Sequence, residues 1–535
     1  MYSRRPHRRS RSRSRTGAVL LAAAALVVSA CSTGSSTSSA TSAARAAQAG
    51  QATLTALPRA TPAALAPYYA QKLSWRACGA PGFECATLRA PLDYAAPGEG
   101  DVRLAVARKK ATGPGERLGS LLVNPGGPGG SAIGYLQNYA ALGYPEEVRA
   151  RYDMVAVDPR GVARSEPVEC LDGPAMDTYT QTDTTPDDER ERAGLVDAYK
   201  KFAEGCGADA PELLRHVSTV EAARDMDILR EVLGDEQLTY VGASYGTLIG
   251  ATYAGLFPDR AGRLVLDGAM DPSLSARRLN VDQTAGFETA FQAFAKDCVR
   301  QPDCPLGEPG TPPEQVGKNL KAFFGRLDAK PVPTSDPDGR ELGESLATTG
   351  VIAAMYDETA WPQLREALTS AMNENDGTGL LALSDSYYER DADGAYSNLM
   401  SANAAVNCLD LPPAFTGPDD VRNSLPEFEK ASPVFGEGLA WAALNCTYWP
   451  VAPAGEAHRI EAPGAKPIVV VGTTRDPATP YPWAQALAGQ LSSGRLLTYD
   501  GDGHTAYGRG SDCIDSTINA YLLRGTPPAD GKRCS

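Results

Sequence analysis

Histidine is scarce in this 535-residue chain: there are four, and only three follow the first thirty residues. No two cysteines stand in a C-x-x-C pair. Both absences argue against a zinc site of the usual ligand sets, so no metal and no other cofactor is expected. Basic residues are outnumbered, 51 Lys and Arg against 65 Asp and Glu, for a net charge of -14. The basic footprint of a nucleic-acid binder is therefore missing. The apolar run Gly17 to Ala30 has 14 residues, too few to span a bilayer comfortably. Charged residues at 22% and hydrophobics at 42% exclude wholesale disorder. At this length one plain domain is not expected.

What is present starts with seven arginines and no acid in residues 1–16, followed by that short apolar run. This is the layout of a signal peptide over residues 1–30. Its end, Val28-Ser29-Ala30-Cys31, resembles the bacterial lipobox, in which the cysteine is lipidated and becomes the mature N-terminus. Arg4-Arg5 is a weak sign of twin-arginine export. Loss of the seven arginines takes the net charge from -14 to -21. Residues 31–67 are rich in Ser, Thr and Ala and read as a flexible tether, reaching roughly 30 Å as a coil. The expectation is a protein of the bacterial cell envelope, held at the outer face of the cytoplasmic membrane through Cys31.

Eleven cysteines are an odd number for an exported chain. Assigning Cys31 to lipid leaves ten, with about 945 possible pairings. Joining sequence neighbours is the simplest set: Cys78–Cys85, Cys170–Cys206, Cys298–Cys304, Cys408–Cys446 and Cys513–Cys534.

From residue 120 short apolar runs alternate with helical stretches, the pattern of a mostly parallel sheet with helices on both faces. Strands are expected at Ser120–Val123, Met154–Val157, Leu238–Val241, Arg263–Leu266, Pro467–Val471 and Arg495–Tyr499. Ser218 and Glu221 fit a capping box that opens a helix. The rhythm breaks between about 275 and 460, where helices and Pro-rich turns dominate. The expected layout is an α/β core over 68–274 and 461–535, interrupted by a mainly helical lid over 275–460.

Gly242-Ala243-Ser244-Tyr245-Gly246 matches G-x-S-x-G with a strand before it and a helix after it. A serine nucleophile needs a base. In this fold the order along the chain is serine, acid, histidine. That order excludes His216; His458 precedes the last two strands and reads as a surface residue. His504, just past the last strand, is the expected base. Asp476 is the only acid on the loop after the penultimate strand and would hold the histidine tautomer. Thr479 is placed to support that carboxylate. Asp502 is a competitor too near His504 in sequence. The oxyanion is expected on the N–H of Tyr245 and on Gly126 or Gly127, with Gly126 preferred.

Leu92-Asp93-Tyr94, Asn124 to Gly130, Asp158-Pro159-Arg160-Gly161, Gly242 to Gly246, Asp476-Pro477-Ala478-Thr479 and Gly503-His504, in that order, resemble the secreted tripeptidyl aminopeptidases. These are α/β-hydrolase serine peptidases related to prolyl aminopeptidases, some of them lipid-anchored. The resemblance runs from about Trp75 to Cys534. Ala163 departs from it, standing where relatives often carry glycine. It implies exopeptidase action at a free N-terminus, with lid acids meeting the ammonium group; the expected partners are peptide or protein substrates, and the expected state is a monomer. Glu288 and Asp410 are the candidates for that contact. An envelope esterase or lipase with the same triad is the alternative, because a fold does not fix a substrate. A non-catalytic binding lipoprotein would leave the ordered triad without a purpose.

Overall fold

Residues 52–535 are described by the structure, a computed structural model. The expected signal peptide, Cys31 and the tether as far as residue 51 lie outside the described residues. The expected tether ends too late, however. Leu54 N donates to Arg459 O and Leu57 N to Leu256 O, both at 2.9 Å. Leu54 and Leu57 pack on the core and Leu65 is buried within it. These leucines give the segment the apolar anchors that the Ser/Thr/Ala stretch before it lacks.

Ten strands form one sheet: β1 (Arg76–Ala77), β2 (Phe83–Pro91), β3 (Asp101–Lys109), β4 (Gly119–Asn124), β5 (Tyr152–Val157), β6 (Leu238–Ala243), β7 (Ala261–Asp267), β8 (Ile468–Arg475), β9 (Gly494–Asp502) and β10 (Lys532–Cys534). Their order is β1-β2-β3-β5-β4-β6-β7-β8-β9-β10. The pairs from β5 to β10 are parallel, and β1, β2 and β3 add an antiparallel edge. The sequence pattern read from residue 120 onward does not reach that edge. Successive side chains of the central strands enter opposite cores. Leu122, Val155, Tyr240 and Val470 face one, and Leu121, Met154, Val241 and Val469 the other. Burial on both sides explains the near-continuous apolar runs of these strands.

Helix α1 (Thr219–Val232) opens with both halves of the Ser218/Glu221 capping box. Helix α2 (Tyr245–Leu256) follows β6 after a single residue. Between β7 and β8 the chain runs through eight helices, from α3 (Ala276–Cys298) to the helix Gly436–Ala442. Among them is α4 (Leu399–Asp410). The first five of these helices bury a core of their own around Phe291, Phe294, Phe323 and Leu346, whereas α4 packs Ala404, Ala405 and Leu409 into the α/β core. Among the described residues five disulfides each join a cysteine to the next cysteine along the chain: 78–85, 170–206, 298–304, 408–446 and 513–534.

Candidate active site

Ser244 is the one residue between β6 and α2, held at φ 55° and ψ -127°. A non-glycine residue there stores backbone strain, which the surroundings must impose. Here Ser244 N donates to Asp267 O at 2.9 Å, and Ser244 O accepts from Thr247 N at 2.8 Å. The turn closes only with small neighbours. A Cβ on Gly242 would lie 2.4 Å from Gly246 O, and one on Gly246 would lie 2.8 Å from Asn124 O.

The loop after β4 abuts this elbow. Gly126 has φ +91°, and a Cβ there would come within 2.7 Å of Tyr245 N and 2.9 Å of Ser244 Cβ. The glycine is therefore needed, but not as the expected donor. Gly126 N–H is already given to Asn124 Oδ1 at 2.8 Å. Gly127 lines the cavity with Ser244, and its N–H has no hydrogen-bond partner among the described residues. Tyr245 opens α2, so its N–H is one that a helix leaves unpaired. Gly127 and Tyr245 are the available pair of donors, and Gly126 shapes their approach.

Asp476 is buried on the loop after β8. His504 Nδ1 lies 2.8 Å from its Oδ1. The same carboxylate accepts from Ala478 N at 2.9 Å, Thr479 N at 2.8 Å, Thr479 Oγ1 at 3.1 Å and Thr505 N at 3.2 Å. Thr479 Oγ1 also lies 3.4 Å from His504 Nδ1. His504 Nε2 is buried and has no partner among the described residues. Tyr356 O accepts His504 N at 2.8 Å, and the Tyr356 ring stands edge-on to the imidazole at 5.5 Å. Tyr356 and Thr479, the two residues that flank the imidazole, line the cavity that holds Ser244.

The competing residues have other partners. Arg475 Nε binds Asp502 Oδ1 at 2.6 Å. His216 Nδ1 pairs with Glu221 Oε1 at 3.0 Å, and His458 Nδ1 with Glu456 O at 2.7 Å. Asp267, at the end of β7, was missed. Its carboxylate accepts Ala506 N at 3.1 Å and Tyr507 N at 2.8 Å, fixing the His504 loop from beneath. Burial pushes this carboxyl up. The rule that pointed to Asp476, an acid on the loop after the penultimate strand, passed over Asp267, which ends the strand before it.

The cavity holds about 270 Å³. Its polar lining is neutral: Asn280, Gln283, Asn403, Asn407 and Asn445 are there, and no Asp, Glu, Lys, Arg or His. Neither expected ammonium contact lines it. Glu288 accepts Gln292 Nε2 and Ser432 Oγ, each at 2.6 Å, within the lid. Asp410 accepts Thr219 N at 2.9 Å and the Thr219 hydroxyl, so it caps α1. Partner choice by an acid depends on tertiary packing, which single residues in a sequence do not reveal.

The resembling motifs away from the cavity form a brace. Arg160 is fully buried and binds Asp225 through Nε and Nη2, each at 2.8 Å. Tyr94 O–H donates to the same Asp225 at 2.7 Å. Ala163, the departure from the family pattern, sits at φ 46°, a conformation that suits the glycine of its relatives.

Acid clusters that could hold a cation lie away from Ser244. In one, Asp183, Asp328 and Glu344 bring ligand atoms within 4.8 Å of one another. Burial, then the Asp183 and Asp328 charges, push the Glu344 carboxyl up to about 7, against a lowering hydrogen bond from Thr185. A raised carboxyl binds its proton more tightly when folded. Its cost is therefore absent below about pH 4.5 and grows as pH rises towards 7. Glu344→Gln should remove that slope. Between pH 6 and pH 8 the melting temperature of the wild type should fall by about 1 °C more than that of the variant. Parallel slopes in differential scanning fluorimetry would reject this assignment.

Two family models match the chain: "alpha/beta hydrolase fold" over residues 119–308 and "TAP-like protein" over residues 432–534. The serine protease Hip1 of Mycobacterium tuberculosis is 39% identical over 490 residues, 88% of this chain and 92% of that protein. Carboxylesterase B of the same species is 38% identical over 490 residues, 88% of this chain and 91% of that protein. The tripeptidyl aminopeptidase of Streptomyces lividans is 30% identical over 478 residues, 86% of each chain.

Proposed function

The chain belongs to the TAP-like family of α/β hydrolases and is a serine peptidase of that type; from this premise we propose an envelope-anchored exopeptidase that works through an acyl-enzyme. Ser244 attacks the scissile carbonyl while His504 Nε2 takes its proton. Asp476 keeps the other proton on Nδ1 and stabilises the imidazolium. The N–H groups of Gly127 and Tyr245 receive the oxyanion. The imidazolium then protonates the leaving amine, and water, deprotonated by His504, releases the acyl group. The observation that carries this reading is the buried Asp476–His504 pair with Nε2 left unpaired, flanked by Tyr356 and Thr479, which line the cavity of Ser244.

Release of tripeptides from a free N-terminus, and attachment through Cys31, are the finer parts of the proposal. With no carboxylate in the cavity, the ammonium group would meet carboxamide oxygens of Asn280, Gln283 or Asn407. Ester hydrolysis is the second reading. The neutral lining favours it, as does the likeness to a protein named carboxylesterase B.

Free and N-blocked tripeptide amides and a short acyl ester, given to the full chain, separate the two. Turnover of the free amide alone supports the exopeptidase. Equal turnover of free and blocked amides removes that claim and leaves a peptidase. Turnover of the ester alone replaces the peptidase reading. Mass spectrometry of the mature N-terminus tests the anchor, and an unmodified Cys31 thiol would reject it.

A further inference from the structure

Helix α4 touches the catalytic machinery along one face. Asn403, Asn407 and Asp410 stand at i, i+4 and i+7, which aligns them on a helix surface. Asn403 Nδ2 donates to Pro128 O at 3.1 Å, next to the Gly127 N–H. Asn407 Nδ2 donates to Asn403 Oδ1 at 3.0 Å, which turns the amine side of that carboxamide towards Pro128. The contact is close: a Cβ on Gly129 would lie 2.4 Å from Leu399 O.

Two turns further on, Asp410 Oδ1 accepts Thr219 N at 2.9 Å and its Oδ2 accepts the Thr219 hydroxyl. Thr219 Oγ1 also lies 2.6 Å from the Tyr245 hydroxyl. A threonine has one hydroxyl proton, and a carboxylate only accepts. The Thr219 proton therefore goes to Asp410, and Tyr245 donates to Thr219. Tyr245 is the residue whose N–H forms the other half of the oxyanion site.

We propose that α4 sets the distance between the two oxyanion donors, with Asn403 and Asp410 as positioning residues that act through Pro128 and Tyr245. This rests on the reading that Gly127 and Tyr245 bind the oxyanion. The two anchors are seven residues apart, about 10 Å along a rigid helix. The oxyanion site thus lies on the α/β core, and its spacing comes from a helix inserted between β7 and β8 that packs back onto that core. Asn398, the cap of α4, adds a third fixed point, with Nδ2 2.8 Å from Gly161 O and Oδ1 2.8 Å from Ala163 N.

The test uses the full chain with a peptide amide that it turns over. Asn403→Asp keeps the shape and loses the donor. Asp410→Ala loses both contacts, whereas Asp410→Asn keeps its oxygen for Thr219 N and offers its NH₂ to the Thr219 hydroxyl, which can then turn its proton to Tyr245 and keep the chain joined. Tyr245→Phe cuts the same chain from the other end and leaves its N–H in place. Removing an oxyanion donor outright costs about 100- to 1000-fold in kcat. Misplacing one in Asn403→Asp, Asp410→Ala or Tyr245→Phe should cost about tenfold, with KM within about twofold. Asp410→Asn should recover most of the loss. Unchanged kcat in Asn403→Asp and Tyr245→Phe overturns the proposal, as does a loss carried by KM, or an Asp410→Asn as slow as Asp410→Ala. Ser244→Ala is run alongside. If it still turns over, the catalytic reading itself fails; if it is inert while the α4 variants match wild type, only the role of α4 falls. Should Asp410→Ala not fold, Tyr245→Phe and Asn403→Asp decide.

Discussion

Asp476→Asn is expected to lower kcat by about 10⁴-fold with little change in KM. Every group around that carboxylate is a donor: the His504 Nδ1 proton, the N–H groups of Ala478, Thr479 and Thr505, and the Thr479 hydroxyl. An asparagine brings an NH₂ that must face one of them whichever way it turns. The favourable rotamer gives that NH₂ to His504 and forces the imidazole proton onto Nε2. The base then no longer has a lone pair for Ser244. Labelling by a fluorophosphonate should slow in parallel, because it uses the same serine. Ser244→Ala should cost about 10⁶-fold and end labelling altogether. A loss below tenfold for Asp476→Asn, with the fold intact, would assign the role of acid elsewhere, and Asp267 would be next to test.

Arg160→Met should destabilise the protein by about 3–5 kcal/mol while leaving the activity of the folded fraction near wild type. The guanidinium is fully buried and its donors are all engaged. Beyond the paired Asp225, Nη1 binds Leu92 O and His216 O at 2.9 Å each, and Nη2 binds Pro91 O at 3.0 Å. A methionine fills the space but strands the Asp225 charge and three carbonyls in a dry interior. The double variant Arg160→Met with Asp225→Leu removes that stranded charge and should recover part of the loss. Urea midpoints for the set of variants would measure this. A cost below about 1 kcal/mol for the single change would mean that water reaches Asp225.

Much of the site was legible because its chemistry is tied to strand ends. G-x-S-x-G, Asp476 and His504 each follow a parallel strand, and strands that are buried on both faces leave an apolar run that can be read directly. Asp158-Pro159-Arg160-Gly161 and Leu92-Asp93-Tyr94 were legible as motifs, but not in their work, which is to close Arg160 and Tyr94 on Asp225. That partner lies 65 residues from Arg160, and no local pattern announces it. The choice between Gly126 and Gly127 turned on one carboxamide. Asn124 bonding the backbone two residues on is a habit of asparagine in turns, and it was there to be used. Glu288 and Asp410 failed as ammonium contacts because Ser432 and Thr219 reach them first, and only the packed lid brings those partners near. The antiparallel edge was missed because β2 and β3 are a hairpin outside the α/β alternation.

The disulfides span 7, 36, 6, 38 and 21 residues, and none encloses or crosses another. Each cysteine from Cys78 onward has its neighbour along the chain as its mate, so each bridge closes a loop of its own, and opening one leaves the other four loops closed. No bridge joins β7 to β8 across the inserted lid. Those two strands, which carry Asp267 and lead to Asp476, are held side by side by their backbone ladder and side-chain packing, with no covalent link between them.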